Sequence, residues 1–151
     1  MPEHIALDKV EVALHELIQN LRDEQEGFRE LAHRLNSDRA KRFFLEETQV
    51  RAEYAAELEN ELHRMGVHDV TVSTSRREKA KVWWAEMKSA LAEGDHSLLL
   101  AAEEGEDTTR KTYVAALRME LPLPLREILD RQYAHIQRSH DDVKALRDKH
   151  Y

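Results

Sequence analysis

Two pairs of long apolar stripes with helical spacing, each pair joined by only a few turn residues, constrain this chain more than any other feature. Residues 5–35 carry Leu7, Val10, Leu14, Leu17, Leu21, Phe28, Leu31 and Leu35 at steps of three and four, which defines an amphipathic helix. Asn36-Ser37-Asp38 then supplies turn and capping residues, and a second helix is expected over 38–65 with Ala40, Phe43, Glu47, Val50, Tyr54, Leu58, Glu61 and Met65 inward. A connection this short makes the two helices antiparallel neighbours. Gly66 ends the second helix as a C-terminal cap.

The second pair repeats the arrangement. A helix over 96–120 places Leu99, Ala102, Glu106, Thr109, Tyr113, Ala116 and Leu117 on one line. Leu121-Pro122-Leu123-Pro124 forces a turn, because a residue preceding proline is pushed out of the helical region. The last helix runs from about Pro124 to Lys149 with Leu125, Ile128, Leu129, Gln132, Ile136, Ser139, Val143 and Leu146 inward. Between the pairs, 67–75 reads as a loop and 76–91 as a shorter helix bearing Val82, Trp83, Trp84, Met87 and Leu91. The expectation is a single all-α domain over residues 1–151, core about 5–149. Its two antiparallel hairpins are joined by a crossover that contains an extra short helix, the outline of a ferritin-like four-helix bundle.

Each main helix also carries a polar interruption on its inward line: Glu24 and Gln25, Glu47, Glu106, and Gln132 with Ser139. Two of these share a pattern, Glu47-x-x-x-Arg51-x-x-Tyr54 and Glu106-x-x-x-Arg110-x-x-Tyr113. At about 100° per residue the Glu and Tyr of each copy fall within roughly 20° of one another. A carboxylate therefore stands where a core residue belongs. The expected polar layer comprises Gln25, Glu47, Arg51, Tyr54, Glu106, Arg110, Tyr113 and Gln132.

Inward carboxylates in a bundle suggest a metal, and Glu47, Glu106, His135 and His140 are the candidate ligands for iron, manganese or zinc. A carboxylate-bridged pair of metals needs a Glu on two helices and Glu-x-x-His on the other two. The chain departs from that template: Val50 stands where a His should follow Glu47, and Gln132 and Gln137 precede His135 and His140 at the Glu positions. The literal match Glu30-x-x-His33 faces largely outward. Arg51 and Arg110 follow their glutamates by four residues, in the favourable order, and a guanidinium clamps a carboxylate where a metal would otherwise neutralise it. A buried Glu–Arg–Tyr network without cofactor is thus the leading reading, and a divalent metal the alternative.

Composition narrows the remaining classes. With no cysteine, disulfides, thiolate metal sites and a cysteine nucleophile are excluded. The net charge of −7 gives no general footprint for nucleic acid, and no run approaches a membrane span. With no targeting segment in view, the cytoplasm is the default location. No Ser-His-Asp set, phosphate-cradling loop or dinucleotide fingerprint is present, so the reading leans away from an enzyme. Adjacent Trp83 and Trp84 diverge by about 100° on a helix. One is expected in the core and the other at an edge or a homodimer contact.

Several segments together resemble a known family. Asp23-Glu-Gln-Glu-Gly-Phe28-Arg29, Glu103-Glu-Gly-Glu106-Asp107 with Tyr113-x-x-Ala116-Leu117, the turn at Leu121-Pro122, and Gln132…Ile136…His140-Asp-x-Val143-x-x-Leu146-Arg-Asp148 are similar to an uncharacterised bacterial family of ferritin-like four-helix-bundle proteins, a domain-of-unknown-function family. The resemblance covers about Val10 to Asp148. It implies a ferritin-like bundle loosely associated with stress-related proteins, and it carries no agreed active residues.

Overall fold

The computed structural model describes residues 2–67 and 94–149. They form four helices: α1 (Pro2–Arg34), α2 (Asp38–Arg64), α3 (Asp95–Leu117) and α4 (Leu123–Lys149). The short helix expected over 76–91, the path of the connection and both tryptophans lie outside the described residues.

Local chemistry sets the helix ends. Ser37 caps α2, its hydroxyl accepting from the Ala40 amide at 3.3 Å. At the other end Gly66 takes φ of 88°, a left-handed conformation that favours glycine. The Gly66 amide donates to the His63 carbonyl at 3.0 Å and the Val67 amide to Leu62 at 2.9 Å, the paired bonds of a Schellman cap. Between α3 and α4, Arg126 donates to the carbonyls of Leu117 (3.1 Å) and Met119 (2.7 Å), satisfying acceptors that the end of α3 leaves free.

Helices α1 and α2 pack together, as do α3 and α4, and the two hairpins meet through α1 with α3 and α2 with α4. The pairs α1/α4 and α2/α3 are diagonals. Helix α1 runs antiparallel to α3: Asn20 donates to Thr112 at 2.8 Å, whereas the α1–α2 turn meets the start of α3. Consequently α2 and α3 point the same way, and Gly66 and Gly94 sit at opposite ends of the bundle.

Asp95 fastens the Gly94 end. Its carboxylate accepts from the amides of Asn36 (2.8 Å) and Ser37 (2.9 Å), joining the first turn of α3 to the α1–α2 turn. Asp95→Ala should lower stability by about 1–2 kcal/mol, the cost of leaving two turn amides without a charged acceptor. Urea denaturation checks this, and a change within about 0.3 kcal/mol, in the range of ordinary surface substitutions, would show the clasp to be idle.

The interior has two apolar halves. One gathers Leu14, Leu17, Leu21, Leu58, Leu62, Leu125 and Leu129. The other gathers Phe28, Leu31, Phe44, Leu99, Val143 and Leu146. Between them lies a belt of buried polar side chains: Glu24, Glu47, Thr48, Arg51, Glu106, Thr109, Gln132 and Ser139.

Helix α2 is rotated by about one residue from its expected setting. Phe44, Arg51, Ala55 and Leu62 are buried, whereas Phe43, Val50, Tyr54, Glu61 and Met65 are only partly covered. The pattern allowed both settings, and α2 turns its arginine inward because carboxylates from two other helices are there to meet it.

Candidate functional site

The centre of the belt is the Arg51 guanidinium, which is fully buried. Nη1 donates to Glu47 Oε1 at 2.7 Å, one turn earlier on α2. Nη2 donates to Glu106 Oε2 on α3 at 2.7 Å and to Ser139 Oγ on α4 at 3.1 Å. Nε reaches Glu24 Oε2 on α1 at 3.4 Å. Every helix therefore supplies a partner or the cation itself. The Phe28 ring lies below, with Arg51 Cζ 5.2 Å from its centroid, a cation–π distance. Burial alone would lower the arginine's pKa, but Glu24, Glu106 and Glu47 reverse this and hold it protonated.

The carboxylates respond unequally. Burial pushes the Glu106 carboxyl up to about 8; Arg51 opposes the rise and Glu24 adds to it. Glu24 is also raised, first by burial, against the pull of Arg51. Ser139 donates to Glu106 Oε2 at 2.5 Å. Glu24 Oε1 and Glu106 Oε1, both buried, have no hydrogen-bond partner among the described residues. The Thr109 hydroxyl, 3.3 Å from the Gly105 carbonyl, also lies within hydrogen-bonding reach of Glu24 and opposes the rise of its pKa.

Toward the surface, Glu47 meets His135 of α4, whose Nε2 lies 3.0 Å from each carboxylate oxygen. The Tyr54 ring stands edge-on to His135, with centroids 5.7 Å apart. A second chain of bonds runs outward between the same two helices, α2 and α4. Tyr113 donates to Gln132 Oε1 at 2.7 Å, and Gln132 Nε2 donates to Glu57 at 2.8 Å. Burial raises the Tyr113 hydroxyl well above its ordinary pKa, so it remains a donor.

The sequence candidates thus divide. Glu47, Arg51, Glu106 and His135 converge, and Tyr113 and Gln132 form the neighbouring chain. Arg110 does not reach Glu106: it pairs with Asp107, three residues earlier on the outer flank of α3. Arg51 serves both glutamates, because α2 turns toward α3 across the bundle diagonal. Gln25 is half-buried and accepts from Arg22 at 3.0 Å, leaving the inward position to Glu24. His140 lies beside Glu103 (4.0 Å) and Asp141 (3.5 Å), away from the belt. Sequence reasoning singled out neither Glu24 nor Ser139 as a site residue. Glu24 falls three residues after Leu21 and four before Phe28, directly on the stripe, a spacing that identifies it without a structure.

Glu24, Glu47, Glu106 and His135 have the donor chemistry of a metal site, but the guanidinium lies among the three carboxylates and occupies an oxygen of each. A divalent ion there would face the arginine's positive charge. Among the described residues no group of three or more His, Asp or Glu is arranged to hold a metal.

A family model described as "Domain of unknown function (DUF2383)" matches residues 9–119. The chain belongs to this family. The matched segment holds Glu24, Glu47, Arg51 and Glu106, so the cation and all its carboxylates lie inside the DUF2383 region, whereas His135 and Ser139 come from α4 beyond it. No curated protein matches the sequence.

Proposed function

We propose that this protein is a ferritin-like bundle whose central position is held by an arginine, and that it acts as a non-enzymatic structural or interaction module. The observation that carries this reading is Arg51, bonded to carboxylates from three helices at the place where such a bundle would otherwise neutralise them with metal. The helix order supports the ferritin-like part, since α2 and α3 run parallel, with Gly66 and Gly94 at opposite ends of the bundle. Among the described residues no helix is long and apolar enough to cross a membrane.

The alternative, a metal-binding ferritin-like protein, is favoured by one observation, the contact of His135 with both oxygens of Glu47. Elemental analysis of protein purified without a histidine tag or chelator separates the two. The proposal expects substoichiometric metal and a melting temperature indifferent to iron, manganese and zinc. Stoichiometric metal that disappears in Glu106→Ala would overturn it.

A further inference from the structure

We infer that the groove between α1 and α3 is a self-association surface, covered by the same groove of a second copy of this chain with the two α1 helices antiparallel. The groove encloses about 380 Å³ and is lined by Lys9, Val12, Ala13 and Glu16 of α1 and by Ala115 and Met119 of α3. Val12 is 59% exposed, and Ala115 is exposed as well. Thr112 also lines it, but its hydroxyl is spent inside the fold, accepting from Asn20 at 2.8 Å and donating to the Thr108 carbonyl at 3.0 Å. The strip between the two charged residues is therefore apolar.

The charge pattern selects the occupant. Lys9 and Glu16 stand two turns apart on α1, within about 20° of one another, at opposite ends of the strip. Neither has an ion-pair partner among the described residues. A two-fold axis perpendicular to α1 and level with the step from Val12 to Ala13 exchanges the two ends. Lys9 then faces the partner's Glu16, and Glu16 faces the partner's Lys9, a self-complementary arrangement. A parallel pairing would set like charges together and is opposed by them. Helices α1 and α3 are antiparallel, and Ala13 and Met119 are each two turns from the Asn20–Thr112 bond, so Met119 is also level with the axis. Val12, Ala13 and Met119 thus meet their own copies, and the small side chains of Ala13 and Ala115 let the helices approach closely. The face lies outside the polar belt, so self-association does not depend on what neutralises the carboxylates there.

Sedimentation equilibrium of the full chain, from micromolar to near-millimolar concentration, should show the wild type approaching the mass of a dimer. Lys9→Glu and Glu16→Lys should each raise the dissociation constant about tenfold or more, because each sets like charges against one another at both ends. Neither position is buried, so both variants keep the fold. An equimolar mixture of the two restores both opposite-charge pairs and should recover wild-type affinity, as should a chain carrying both exchanges. A wild type that stays monomeric throughout overturns the inference, as does a dimer indifferent to both exchanges or a mixture that rescues nothing. Val12→Asp provides a second measurement. Loss of the dimer, with the melting temperature at low micromolar concentration unchanged, supports self-association. A lowered melting temperature, with wild type and variant both monomeric at every concentration, would assign the groove to residues 68–93 of the same chain and overturn it.

Discussion

Arg51→Met should destabilise the bundle by about 3–5 kcal/mol at pH 7, because it removes a cation bonded to three buried carboxylates and fills the space with a side chain that donates nothing. Methionine approximates the arginine stem, so the loss reports charge and hydrogen bonding more than volume. Urea denaturation with an unchanged slope is the measurement. Part of the loss should be recovered at mildly acid pH, where the stranded carboxylates accept protons. A loss below about 0.5 kcal/mol, the value of an exposed pair, would mean that water reaches the belt.

Stability should fall as pH rises from about 5 to about 8. Glu106 has its pKa raised by burial from the ordinary 4.5 to about 8. Between those values the folded state holds a proton that the unfolded chain has released, so its contribution is complete below 4.5 and is lost as pH climbs through 8. The raised pKa makes this contribution on the order of a few kcal/mol. Glu24, shifted in the same direction, acts with it. Melting temperature against pH checks the slope, and Glu106→Gln should flatten it while making the protein more stable than wild type at pH 8.5. A profile that rises from pH 5 to 8 would show that Glu106 is ionised in the folded state throughout.

The hairpins and the polar positions on α3 and α4 were legible because helical period and turn chemistry are local. The Leu121-Pro122 turn and the Ser37 cap need no knowledge of the rest of the chain. Glu47 and Glu106 were legible as inward carboxylates for the same reason. Their shared partner was not. The i+4 rule assigns each glutamate the arginine on its own helix, and for Glu47 that arginine does form the bond. For Glu106 the rule points to Arg110, but the bond comes from 55 residues away. The difference rests on the rotation of α2 by one residue, which depends on Glu24 and Glu106 lying across the interface. No local pattern encodes that, because burying an arginine is unfavourable until partners on other helices are in place.

Arg51 also orders events in time. Its bonds to Glu47 and Glu24 lie within the first hairpin, but those to Glu106 and Ser139 join it to the second. While the hairpins are apart the guanidinium keeps its water; it is stripped only when they dock, after a long loop has closed. If docking of the hairpins is the last stage of assembly, losing the central ion pairs should speed unfolding more than it slows folding, which unfolding and refolding rates in urea would check. On that order of events, the belt sets how long the folded bundle lasts once formed.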